Sequence, residues 1–369
     1  MKSSQLFFEL IQVAIGNADR LSYTPSVQEW QMLFDSAKKQ TLIGICFYGL
    51  QKLVKYEQTK HLPVTLKLQW LGLVVSIQKR NELINVRCVE LQTKLAEDGF
   101  RTYIMKGQGN AALYRNLSLL RQSGDIDIYL EGGFERVIEY VKKTYPSEKV
   151  NELEIIYHCF DDVEVEIHYK PFVMDSPKDR ILQKFFKNEE ETCFANKIML
   201  GNAGMISVPT STFNLVHQLV HIHHHLFYEG VGLRQLMDYY MLLQASRNKE
   251  DLDVEKVKSI ISELGLNRFA SALMWVLNTV FEGNRTDTNA SYYWTPKGKD
   301  GKVLLEAIIN SGNFGKMDDT FSNLSNIWDR FWYVNNKTIR YWRFDYWAWF
   351  WQPIWRLKAF LWKRINGYK

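Results

Sequence analysis

Two aspartates, Asp125 and Asp127, stand one residue apart in the run RQSGDIDIYLEGG. The segment DIDIYL alternates with period two, which predicts a strand, and in a strand residues i and i+2 share a face. Asp125 and Asp127 therefore project side by side, while Ile126, Ile128 and Leu130 face the other way. Two carboxylates this close repel, and one stays protonated unless a cation lies between them. Oxygen-only ligands favour Mg2+ or Mn2+. A second alternating run, VEVEIHYK, offers Glu164, Glu166 and His168 on one face. Set beside the first strand, it would bring Glu166 to the same cluster, with Glu164 as a competitor. Two metal ions held by three carboxylates suit in-line displacement at phosphorus. His168 would orient a carboxylate or meet a phosphate.

Upstream, MKGQGNAALY ends a strand in Lys106-Gly107 and turns into a helix. Backbone N–H groups there, together with Lys106, are suited to cradling a triphosphate. Arg121, four residues before Asp125, can contact phosphate in bidentate fashion. Gln108 and Ser123 complete the expected nucleotide-binding set.

A third polar group lies in HQLVHIHHHLFYEGVGLRQLMDYY. His217 and His221 share a helical face, with His224 or His225 one turn further on. The partner carboxylate of an HExxH site is absent, which leaves a polar stripe facing a cleft, a separate metal site or packed histidines. Arg234 and Asp238, spaced i and i+4, can form a surface ion pair.

The elements that must position these groups follow from periodicity. Residues 1–98 read as helical, including SVQEWQMLFDSAKKQTLIGICFYGLQKL and a long run after Pro63 that stops at Asp98-Gly99. Residues 99–170 read as strand, helix, strand, helix and a strand pair turning at Asp161-Asp162. Helices resume over 171–280, and 300–369 form a C-terminal aromatic and basic region. The order over 99–170 suggests a compact α/β unit covered by helices.

Composition narrows the class. The chain has 369 residues, 46% hydrophobic and 24% charged, as a globular protein with a sizeable core requires. A net charge of +5 permits a polyanionic partner without arguing for one. The four cysteines form no CxxC pair, which excludes a disulfide framework and a zinc ribbon and fits a cytoplasmic setting. Glu9 interrupts the first apolar run, so an amphipathic helix is expected there rather than a signal peptide. No run reaches transmembrane length, and no GxxxxGK[ST] or HRD motif points to a kinase.

Taken together, KG at a strand end, RQSGDIDIYL and VEVEIHYK resemble the nucleotidyltransferase superfamily of DNA polymerase β. The closer likeness is to bacterial uncharacterised nucleotidyltransferases, with patterns resembling LKG…R…DIDL…DLH. The resemblance covers at least residues 100–170, and the helical surroundings fit to about residue 245. It implies an α+β fold, a small mixed-sheet polymerase β-like core flanked by helical regions, with Arg234 and Asp238 lining the cleft. It implies that Asp125, Asp127 and Glu166 hold two metals and that Gly107 and its neighbours contact a triphosphate, ATP being the first candidate. It also implies transfer of a nucleoside monophosphate to an acceptor, whether protein, small molecule or RNA. The chain departs from the superfamily in having Gln108 where Gly or Ser is usual, and in a longer interval from Gly107 to Asp125. An inactive relative serving as a binding or antitoxin-type module is the alternative those departures raise.

The C-terminal run TIRYWRFDYWAWFWQPIWRLKAFLWKRINGYK mixes Trp and Tyr with Arg and Lys. Such a surface suits packing on the protein, peripheral membrane contact, a protein partner or nucleic acid. Pro353 is expected to start or break a helix.

Overall fold

The computed structural model describes residues 2–146, 149–228, 230–247, 249–283, 293–311 and 326–365. Helices α1 (Lys2–Ile15), α2 (Val27–Lys39) and α3 (Ile43–Leu53) precede the long α4 (Val64–Glu97). The Ser26 side chain accepts the Glu29 N–H while the Glu29 carboxylate accepts the Ser26 N–H, a capping box that fixes the start of α2. Helix α1 buries Leu6, Leu10 and Ile11, the amphipathic pattern expected of it.

Strand β1 (Thr102–Ile104) leads through the short helix α5 (Gln108–Ala111) and a 3-10 segment (Ala112–Leu120) to β2 (Ile126–Leu130). Helix α6 (Gly133–Thr144) then crosses to β3 (Glu154–Ile156) and β4 (Val165–His168). The four strands form one mixed sheet in the order β1-β2-β4-β3. Strand β2 pairs with β4 in parallel, and β1–β2 and β3–β4 are antiparallel. This is the α+β core with a mixed sheet that the family resemblance implies, and Asp161-Asp162 falls in the β3–β4 connection.

One face of the sheet is apolar because alternate residues face one way. Ile126, Ile128, Leu130, Val165 and Ile167 pack with Val137 and Val141 of α6 and with Ile84, Cys88, Leu91 and Leu95 of α4. The N-terminal part of α4, through Leu66, Trp70 and Val74, belongs instead to the larger helical core. Helix α4 thus bridges both cores, and the opposite sheet face is left for polar groups.

Helix α7 (Asp179–Ala195) and the hairpin β5 (Lys197–Leu200)–β6 (Gly204–Ser207) lead to α8 (Ser211–Phe227) and α9 (Leu233–Ser246). Helices α10 (Val254–Glu263), α11 (Asn267–Leu277) and α12 (Gly298–Ser311) follow. Two helices, Ile327–Arg340 and Ala348–Ile365, complete the described chain. Pro353 neither starts nor breaks the second of these: it lies inside the helix, in its second turn. No helix among the described residues is long and apolar enough to cross a membrane.

Candidate active site

The polar face of the sheet lines a cavity of about 470 Å³, closed on the other side by α8 and α9. Asp125, at the entry to β2, and Asp127 both face it, as their i, i+2 spacing requires. The parallel register sets Asp127 directly opposite Glu166. The antiparallel β3–β4 register sets Glu154 opposite His168. Ligand-capable atoms of Asp127, Glu166 and His168 all lie within 4.8 Å of one another. Asp125 lines the same cavity outside that compact trio, whereas Glu164 is exposed and does not line it.

The cluster is charge-imbalanced. Lys106 Nζ lies 2.7 Å from Asp127 Oδ1, and His168 Nε2 lies 3.1 Å from the same oxygen and 3.2 Å from Glu154 Oε2. A ring nitrogen facing two carboxylate oxygens carries the hydrogen, so His168 donates to Asp127. Burial alone would raise the Asp127 pKa, but Lys106 and His168 outweigh it and hold the carboxyl well below the usual range. Glu166 goes the other way: burial, then the charges of Asp127, Glu154 and Asp125, push it up to about 9. Asp125 is also raised, first by Asp127 and then by burial. Without a further cation the cluster holds a proton that it would lose to one. That frustration, with oxygen donors predominating, fits a divalent metal ion.

Lys106 is raised although burial works against its charge, because Asp127 more than compensates. Its ammonium also lies 3.3 Å from His221 Nε2, which in turn lies 3.3 Å from His225 Nε2. Burial first, then Lys106, holds His221 well below its ordinary pKa, so it stays neutral and accepts from the lysine. Gly107 sits at φ +52°, a left-handed backbone that only glycine adopts without strain. His224 lines the cavity and stacks on Tyr228 at 4.2 Å between centroids. His217 does not line it; buried, it donates to Pro171 O at 3.1 Å. Among the described residues the histidine run makes no metal cluster of its own.

The second wall is cationic. Arg121 lines the cavity with its guanidinium already engaged: Nε and an NH2 group grip Asp238 at 2.7 and 2.8 Å, and the other NH2 donates to Ser123 Oγ at 2.8 Å. Tyr114 donates to Asp238 at 2.6 Å, and Arg234 stands 3.7 Å from the same carboxylate. This is a buried network rather than a surface pair. Burial, then the charge of Arg121, lowers the Arg234 pKa, as expected where two guanidiniums share one carboxylate. Ser123 lines the cavity and donates to Gln108 Oε1 at 2.7 Å. Gln108 is itself buried against α4, donating to Asn81 O at 3.2 Å and to Asn85 Oδ1.

Sequence reasoning overlooked Glu154. Pairing LEII with EIHY in antiparallel register would have found it, because residues directly opposite on a hairpin share a face.

A family described as "Uncharacterised nucleotidyltransferase" matches residues 26–282. No curated protein matches the chain. Among solved structures, an antigenic nucleotidyltransferase-like protein from Paracoccidioides brasiliensis is 12% identical with a TM-score of 0.34. That match covers 58% of this chain and 94% of the other.

Proposed function

The chain belongs to the family of uncharacterised nucleotidyltransferases, and we propose that it moves a nucleoside monophosphate from a nucleoside triphosphate to an acceptor. The acceptor nucleophile attacks the α-phosphorus, the new bond forms to that phosphorus, and the bond to the leaving pyrophosphate breaks. One observation carries the reading: the β2–β4 register pairs Asp127 with Glu166 on a cavity floor that Asp125 also lines.

Asp125, Asp127 and Glu166 would hold the divalent ions, Mg2+ or Mn2+, which when bound activate the attacking oxygen and steady the leaving pyrophosphate. His168 holds the Asp127 carboxylate in place through its Nε2–H. Glu166, once deprotonated, accepts the acceptor's proton. Lys106 neutralises Asp127; were Asp127 to hold a divalent ion, the Lys106 ammonium would be left for phosphate. Arg234 supplies positive charge on the opposite wall and takes the role that Arg121, committed to Asp238, does not. His221, held neutral by burial and by Lys106, leaves room for an acceptor without adding charge.

Calorimetric titration with ATP and the other nucleoside triphosphates, with and without Mg2+, tests the reading. The expected result is Mg2+-dependent binding that falls at least a hundredfold in the Asp125→Asn, Asp127→Asn double variant. Binding indifferent to Mg2+ or to the double substitution would overturn it.

A further inference from the structure

The C-terminal helices carry an apolar surface that the cavity does not use. In the Ala348–Ile365 helix, Ala348 and Gln352 are buried and Trp355, Ala359 and Trp362 are half-buried. At about 100° per residue these five positions fall on one side, the side seated on the protein. Trp362 meets Phe134 edge-on at 5.3 Å, and Arg356 lies over the Tyr228 ring at 4.8 Å. The opposite side is also apolar: Phe350, Ile354, Leu357, Leu361 and Ile365 are all exposed, Ile365 at 83%. Spaced by four, three, four and four residues, they make a stripe only about 80° wide along the helix.

This surface continues into the preceding turn, where Trp342, Tyr346 and Trp347 are exposed. Every exposed tryptophan and phenylalanine among the described residues lies in this C-terminal segment. The segment 326–365 contains eight Lys and Arg (330, 337, 340, 343, 356, 358, 363, 364) against Asp329 and Asp345. Its balance of +6 exceeds the +5 of the whole chain, so the remainder is slightly acidic. Lys358 and Arg364 flank the exposed stripe.

We propose that this helix pair docks the protein on an anionic lipid bilayer, with the Phe350–Ile365 stripe in the acyl boundary and the cations among the headgroups. Charge and side-chain type select this occupant. Ile354, Leu357, Leu361 and Ile365 offer no ring for base stacking, which argues against single-stranded nucleic acid. Charged side chains beside the stripe are poorly suited to the dry centre of an interface between two copies. Interfacial helices combine exposed Trp, Phe and Leu on one face with Lys and Arg at its margin, and clustered cations draw such a helix to anionic lipid. This surface is separate from the nucleotidyl-transfer reading and stands or falls without it.

Flotation of the full chain tests the proposal, using vesicles of phosphatidylcholine alone and with about 30% phosphatidylglycerol, a composition chosen for its anionic surface. The expected result is binding to the anionic vesicles at least tenfold above the neutral ones, weakening with salt. Leu357→Glu, Leu361→Glu should lose it at an unchanged melting temperature, since both side chains face solvent. Lys358→Glu, Arg364→Glu should lose the preference for anionic lipid. Absence of vesicle binding, or binding equal in both double variants and wild type, overturns the proposal. So does concentration-dependent self-association, or RNA binding without vesicle binding, that the leucine variant abolishes.

Discussion

The two walls of the cavity solve opposite charge problems. On the sheet, Asp125, Asp127, Glu154 and Glu166 crowd around one lysine and one histidine, and Glu166 is pushed up to about 9. On α9 a single carboxylate, Asp238, serves Arg121 and Arg234, and it stays ionised because Arg121 offsets the cost of burial. The helical wall is nearly complete as it stands, with charge-assisted hydrogen bonds on both Asp238 oxygens. The sheet wall is incomplete and accommodates its surplus by holding a proton. Neutralising Asp238 should therefore cost stability, and neutralising Glu166 little.

The largest effect follows directly. Asp238→Ala leaves the Arg121 guanidinium, 3% exposed, without its counter-ion. Breaking a buried pair from one side costs about 3–5 kcal/mol. Glu166→Gln replaces a group already protonated at neutral pH with one of the same shape, and should change stability by less than about 1 kcal/mol. Urea denaturation of both variants at pH 7 makes the comparison. Equal losses would mean that the two walls do not differ in the way their charges indicate.

The contrast also explains what the sequence made legible. The strand, its Asp-Ile-Asp phase and the second acidic strand followed from period-two alternation, a local property. The roles of the two arginines did not, because Arg121 is claimed by Asp238, 117 residues away in the chain. Spacing identified Arg234 and Asp238 as a pair but not their burial, which depends on α8 and α9 closing over the sheet. Glu164 and Glu166 share strand phase, yet only Glu166 lies within β4; Glu164 precedes the strand and faces solvent. Pro353 misled for a similar reason: packing of Ala348, Gln352 and Trp362 on the protein sustains a helix through a residue that locally disfavours one.

A second difference between the walls is in their response to pH. The Glu166 pKa is raised from an ordinary 4.5 to about 9, so the folded chain binds a proton that the unfolded chain releases. The stability this contributes is present below pH 4.5 and is lost as pH rises toward 9. A divalent ion must displace the same proton, so Mg2+ affinity should rise about tenfold from pH 7 to 8 and about fivefold from pH 8 to 9. Mg2+ should correspondingly restore the stability lost at high pH. In Glu166→Gln both trends should flatten, because the proton that Glu166 held is gone. Calorimetric Mg2+ titrations at pH 7, 8 and 9 read the slope, and a flat profile in the wild type would show that Glu166 carries no proton to displace.

The smallest effect separates a residue the strand phase suggested from one the register revealed. Glu154 and Glu164 are both acidic and both adjoin the β3–β4 pair. Glu154 lines the cavity and faces His168 at 3.2 Å, where its charge adds to the field that draws a cation. Glu164 meets the site only through its backbone carbonyl, which accepts the Ile126 N–H at 3.0 Å. Glu154→Gln should weaken Mg2+ binding about three- to tenfold, as expected for one charge removed a few ångströms away at protein-like screening. Glu164→Gln keeps the carbonyl and removes only a solvated charge, so Mg2+ affinity should be unchanged. A loss at Glu164 equal to that at Glu154 would mean that net charge, not the face each carboxylate occupies, governs cation binding.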